Sequence, residues 1–244
     1  MKLFSLSVAI SFSPVINSLT LGDLAKIAEN QLQITLDQQT SNNGNEREPG
    51  LRAITQTQMA LVNDYGCWCY FEANHGAGKG KPSDALDALC KKLHDGYECI
   101  IHDQNANSTP CTPWEIPYTS AFGGGIPGGL TKDQIISVCN IQNDGSTSCA
   151  AQSCIVESFF IQEYFAYALT GGIIDQAKSH DNGFDVKTGC PISRGVKSEK
   201  SCCGAYPDRY PFKTYDGGRD CCVGSTFNAN IFSCCSDGTI KISC

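Results

Sequence analysis

The chain is short of positive charge. It carries 18 Lys and Arg against 25 Asp and Glu, a net charge of −7, whereas nucleic-acid binding needs clustered cations to neutralise phosphates. The same balance weighs against strong attraction to an anionic membrane. No run approaches the ~18–20 apolar residues needed to span a bilayer. There is no G-x-x-x-x-G-K-[ST] phosphate loop and no G-x-S-x-G nucleophile elbow, which sets aside P-loop nucleotide chemistry and the α/β-hydrolase kind of serine catalysis.

Cysteine, by contrast, is abundant. Sixteen cysteines in 244 residues fit an oxidising compartment rather than a cytosol that keeps thiols reduced. Eight lie between Cys67 and Cys154 and eight between Cys190 and Cys244, an even split that predicts two separately bridged modules, although spacing does not fix the pairings. Met1-Lys2 followed by the apolar run Leu3–Ile10 reads as a signal peptide over 1–18. Residues 19–50 turn polar, with Gln38 to Asn45 as the most linker-like part, and read as a prosegment or linker. These features predict a secreted, extracellular protein. Asn107-Ser108-Thr109 is the single N-x-[ST] sequon, followed directly by Pro110.

Hydrophobic spacing predicts a short helix over Thr55–Val62, a glycine-dotted loop over 66–82, and a helix from Pro82 with Ser83 as its N-cap and Asp84 in its first turn. Leu86, Leu89, Cys90, Leu93, Tyr97 and Ile100 recur at three- and four-residue steps and mark the buried stripe of that helix. Residues 103–131 read as loop. A second long helix is expected from about Ala150 to Leu169, stopped by Gly171-Gly172. From Cys190 the texture changes to vicinal cysteines, Cys202-Cys203, Cys221-Cys222 and Cys234-Cys235, set among Gly, Tyr, Phe and Asp. Adjacent cysteines do not suit zinc, which favours C-x₂₋₄-C spacing.

Two resemblances follow from these residues. The string Tyr65-Gly66-Cys67-Trp68-Cys69, the glycine-rich loop to Pro82, and then Asp84, Leu86, Asp87, Cys90, His94-Asp95 and Cys99 resembles the calcium loop and catalytic helix of the secreted phospholipase A2 family. The segment 186–244 resembles the galaxin-type di-cysteine repeats of extracellular matrix proteins. The implied fold is mainly α and disulfide-rich: a phospholipase A2-like two-helix core with a calcium loop at about 51–175, then a small cysteine-rich module. The implied activity is Ca2+-dependent hydrolysis of the sn-2 ester at a phospholipid surface or aggregate, with an extracellular matrix partner for the C-terminal module.

Carried over residue by residue, the first resemblance makes His94 the base that activates water, Asp95 the calcium carboxylate, and Glu157 the group that orients the histidine. Trp68, Gly76 and Gly78 would contribute loop ligands, and Gly80 a positive dihedral. Calcium favours hard oxygen ligands and would polarise the ester. In this register Tyr97 and Val156 take two family half-cystine positions. The sequence departs from the pattern in two places. The loop is longer and holds Tyr70-Phe71-Glu72 where glycines are expected. Asp87 to His94 spans seven residues where the family has six. Aligned on Asp87 and Cys90 instead, Leu93 takes the base position, His94 the calcium position, and Tyr97 matches a family tyrosine. One helical residue is ~100° of rotation, so both registers cannot face one site unless a bulge intervenes. His-Asp alone decides nothing, since it recurs at His102-Asp103 and His180-Asp181. Two readings remain: a secreted phospholipase A2, or a catalytically inactive extracellular matrix or binding protein on the same fold. Trp68, Tyr70 and Phe71 would either dock on lipid or pack beneath the loop.

Overall fold

The computed structural model describes residues 62–71, 76–122, 129–192 and 197–244. The expected signal peptide, the linker and nearly all of the helix over Thr55–Val62 lie outside the described residues.

Among the described residues, three long helices, a few single helical turns and three small sheets make up the regular structure. Helix α1 spans Ala85–Ala106, α2 Lys132–Gln142 and α3 Cys149–Leu169, with a single turn, α4, at Val186–Gly189. The N-cap of α1 is Asp84 rather than Ser83: its carboxylate accepts from the Asp87 N–H at 2.9 Å and holds the first turn. The helix also runs further than expected, so 103–106 are helical rather than loop. Helix α2 was not anticipated. Its signal is a capping box, in which Thr131 accepts from the Gln134 N–H and Gln134 from the Thr131 N–H.

Helices α1 and α3 pack antiparallel. Lys92 pairs with Glu163 at 2.5 Å, Tyr97 with Glu157 at 2.7 Å and Gln104 with Gln152 at 3.1 Å, so one number rises as the other falls. Between them Leu86, Cys90, Leu93, Tyr97 and Ile100 meet Cys154, Ile155, Val156, Phe160, Ile161 and Tyr164 in one core cluster. Gly96 lets the helices approach. A Cβ there would lie 2.7 Å from Val156 Cγ1. Cys111–Cys149 and Cys139–Cys154 fasten the loop after α1, and α2, to the front of α3.

The chain is not mainly helical, because every regular element beyond Lys200 is a strand. Strands β1 (Lys200–Cys203) and β2 (Tyr210–Lys213), β3 (Arg219–Cys222) and β4 (Ser225–Asn228), and β5 (Ser233–Cys234) and β6 (Ile240–Lys241) form three antiparallel hairpins. Segments this short, punctuated by glycine turns, offer no helical period. In the β3–β4 hairpin Val223 and Gly224 both have positive φ, as the two-residue turn joining twisted strands requires. Apart from Tyr206's neighbourhood on α1, the buried side chains of this region are few: Cys202, Cys203, Phe212, Cys222, Phe227 and Cys235. Sulfur replaces a hydrophobic core, as in small disulfide-dense domains generally.

The even cysteine split does not produce two separately bridged modules. Cys67–Cys190 and Cys99–Cys202 cross the expected boundary. From Cys202 the bridges form a ladder: Cys203–Cys221, Cys222–Cys234 and Cys235–Cys244. Each vicinal pair thus sends one bridge back along the chain and one forward. The first hairpin also grips α1 by polar contacts. Arg209 holds Asp103 with two bonds of 2.9 Å, Tyr206 donates to the same carboxylate at 3.0 Å, and Asp208 lies 2.9 Å from Lys92 and also pairs with Lys132.

Candidate functional site

The glycine-rich loop is organised by a carboxylate that is not among the expected site residues. Asp87, fully buried one turn into α1, accepts from the N–H groups of Cys67 at 2.8 Å, Trp68 at 2.7 Å and Ser83 at 2.7 Å. Burial pushes its pKa up, against the pull of those three donors. Gly66, at φ +60°, passes directly over it, where a Cβ would lie 2.6 Å from the Asp87 carboxyl carbon. The Cys69–Cys90 bridge ties the loop to α1 one turn further along. His180 closes the other side, its Nε2 lying 2.7 Å from the Gly66 carbonyl oxygen and its N–H donating to Asp64 O. Nothing in the sequence singled it out beyond a repeated His-Asp dipeptide.

Loop and bridge together fix the rotation of α1. The helix is unbroken from Ala85 to Ala106, with no bulge between Asp87 and His94. Gly96 abuts Val156 directly.

His94 is buried beneath the loop, and burial lowers its pKa to about 4. The backbones of Tyr70 and Trp68, hydrogen-bonded to its ring, pull in the opposite direction. Its ring centroid is 6.0 Å from that of Trp68. Glu157 is buried on α3, and each carboxylate oxygen accepts from a tyrosine, Oε1 from Tyr97 at 2.7 Å and Oε2 from Tyr118 at 2.5 Å. Burial raises its pKa to about 7, opposed by those two hydroxyls. The expected partner of Glu157 was His94; the bonds its carboxylate makes are to Tyr97 and to Tyr118, the latter from a segment expected to be featureless loop. Leu93 lines a cleft between α1 and α3 together with Val156, Phe159 and Phe160, with the Lys92–Glu163 pair at the same cleft.

The expected metal ligands are likewise dispersed. Asp95 forms an ion pair with Lys91 one turn back, on the flank of α1 nearest Glu98 and Lys200. The side chain beneath the Trp68 and Tyr70 carbonyls is the His94 imidazole. Gly76 and Gly80 do have positive φ, +92° and +79°, but Gly78 does not and packs against the Trp68 indole. Among the described residues no group of three or more His, Cys, Asp or Glu side chains is placed to hold a metal ion. An imidazole at the carbonyls, with the carboxylate turned away, is a poor match for a cation that seeks hard oxygen ligands. Among the described residues, the donors at this place are not the set the resemblance implies.

The loop aromatics pack inward. Tyr70 is buried beside His180 with ring centroids 5.3 Å apart, and Phe71 lies 5.8 Å from Phe160. Trp68 donates from Nε1 to Gly80 O at 3.1 Å and carries Lys91 5.0 Å above its ring.

No family model, curated protein or solved structure matches the chain. The functional reading therefore rests on the residues themselves. Eight disulfides and no free cysteine fit an oxidising, extracytosolic environment. Among the described residues, no helix is long and apolar enough to cross a membrane.

Proposed function

We propose that the chain is a secreted, non-catalytic matrix or binding protein, built on a phospholipase A2-like helix pair that has lost the family's reaction. One observation carries the reading: Leu93 lines the cleft between α1 and α3 with Val156, Phe159 and Phe160, while the His94 ring lies under the loop carbonyls where the family places its calcium carboxylate. A leucine cannot take a proton from water. The contact of Gly96 with Val156 supports the same register, because it moves the vacated half-cystine pair one residue back from Tyr97. Tyr97 bonding Glu157 agrees with it too, as the match to the family tyrosine. What remains of the ancestral site is a frame: Asp87 shaping the loop, and Glu157 joining α1, α3 and the 107–122 segment through two tyrosines. The first hairpin of the C-terminal module is bridged to that frame through Cys99–Cys202, so the domain presents the di-cysteine array from a rigid base.

The test is fatty-acid release from phospholipid vesicles by the oxidised, purified protein, with calcium and with chelator. We expect none from the wild type. Leu93→His combined with His94→Asp returns both groups to the proposed register, and calcium binding by calorimetry is expected to appear in that double variant alone. Calcium-dependent release by the wild type, abolished by His94→Gln, would overturn the proposal and restore the hydrolase.

A further inference from the structure

Residues 105–110 are six exposed positions in succession where α1 ends. Their shape is imposed from inside. Gln104 is buried, and its amide donates to Thr147 O at 2.7 Å and Gln152 Oε1 at 3.1 Å. Its own acceptors draw Thr109 inward: the Thr109 N–H reaches Gln104 O at 2.9 Å, and Thr109 Oγ1 donates to Gln104 Oε1 at 2.8 Å. With Thr109 anchored, Asn107 and Ser108 are thrown outward as the crest of a turn, Ser108 at φ +59°. Asn107 is the C-cap, and its bonds to Asp103 O and Gln104 O come from the backbone N–H. The carboxamide is left in solvent.

These three residues are the chain's single N-x-[ST] sequon, in its threonine form and with serine at the middle position that must not be proline. We propose that Asn107 is an N-glycosylation site. The inference rests on the secreted reading above, since transfer needs the secretory lumen. There, Asn107 Nδ2 attacks the anomeric carbon of an oligosaccharide carried on a polyprenyl pyrophosphate. The anomeric C–O bond to the pyrophosphate breaks, a C–N bond forms, the polyprenyl pyrophosphate leaves, and the amide nitrogen gives up one proton. Pro110 lies just outside the triplet and stiffens the segment that the transferase must bend, so the expected occupancy is partial.

The placement gives the glycan a role. Asn107 is four residues beyond Asp103 and so on the same face of α1. Asp103 is the residue that Arg209 and Tyr206 grip. A sugar at Asn107 stands beside the seam between α1 and the first hairpin and keeps proteases and partners from that edge.

The experiment is secretion of the full chain from cultured eukaryotic cells. Intact mass is read before and after peptide N-glycosidase in ¹⁸O water, and the converted residue is mapped by peptide. The expected result is a glycan mass on part of the secreted wild type, with ¹⁸O-labelled aspartate at position 107. It is absent from Asn107→Gln, retained in Thr109→Ser and present on a larger fraction of Pro110→Ala. Secreted wild type that is bare on every molecule overturns the proposal, even if Pro110→Ala is modified, and leaves the secreted reading standing. Protein retained in the cytosol with reduced thiols overturns both.

Discussion

The two halves of this molecule solve the stability problem by different means. The α1–α3 pair buries a contiguous set of Leu, Ile, Val, Phe and Tyr side chains and adds disulfides at its margins. The hairpins from Lys200 onward bury little besides cysteine and two phenylalanines, and without their bridges they would be marginal two-stranded ribbons. A helix pair of this size can keep its fold while its chemistry changes, because packing does not depend on which polar residue sits at one position. A sulfur ladder has no such slack, since each rung fixes the next.

The sharpest way to break this contrast is to cut the covalent tie between the halves. Cys99→Ser with Cys202→Ser removes a bridge spanning 103 residues, and loop-closure entropy puts its loss at about 3–5 kcal/mol, reduced to the extent that Cys67–Cys190 already restrains the same loop. We expect one calorimetric transition to become two, with the helical part unfolding at lower temperature. A single unshifted transition would show that the polar grip on α1 suffices.

Next in size is the close approach of the helices. Alanine normally stabilises a helix relative to glycine by about 0.5–1 kcal/mol. Gly96→Ala should instead cost about 1–3 kcal/mol, because its methyl meets Val156 and overpacks the interface. Val156→Ala should rescue that variant in part, and denaturant titration of the two singles and the double measures the coupling. If Gly96→Ala is stabilising, the register argued from this contact fails.

The buried titratable groups make a subtler prediction. Glu157 has its folded pKa raised from 4.5 to about 7, so the folded state holds the extra proton and stability falls as pH rises through that window. His94 has its folded pKa lowered from 6.5 to about 4, so the unfolded state holds the extra proton and stability falls as pH drops from 6.5 toward 4. The slopes are opposite, each at most about 1.4 kcal/mol per pH unit, and they cancel between roughly pH 4.5 and 6.5. Wild-type stability should therefore be nearly flat there. Glu157→Gln should unmask the loss toward acid, and His94→Asn the loss toward alkali. A Glu157→Gln profile parallel to the wild type would remove Glu157 from this account.

The smallest effect belongs to the surface. Asp208 is about half exposed, and Asp208→Ala should cost under about 1 kcal/mol and lose even that at high salt. A larger loss would mean that the first hairpin is held by charge as much as by sulfur.

How far these features could be read from the sequence follows the same division. Helices α1 and α3 were legible because their apolar residues recur at helical spacing over many turns. The Asp87–Cys90 register was legible as one of two alternatives, and choosing between them took the rotation that the Cys69–Cys90 bridge and the Asp87-held loop impose. Helix α2 is short and buries only Ile135 and Cys139, so its capping box is the one local sign of it. Tyr118 as a partner of Glu157 left no local trace, since a loop residue's neighbour 39 positions away is set by tertiary packing alone. The cross-linking of the halves was hidden because an even cysteine count in each is equally compatible with two bridges between them.

The order of the bridges has a consequence for how the molecule tolerates damage. Every peptide bond between Cys67 and Cys244 lies inside at least one disulfide loop except three, those joining Cys202 to Cys203, Cys221 to Cys222 and Cys234 to Cys235. A single cleavage at any other bond in that span leaves the pieces covalently joined, so a nicked molecule gains only the water of hydrolysis and comes apart when it is reduced. The three uncovered bonds each sit between two bridged cysteines, where an extended chain cannot easily be drawn into a protease cleft. The tail is, in effect, wired so that its only breakable joints are the bonds between adjacent bridged cysteines.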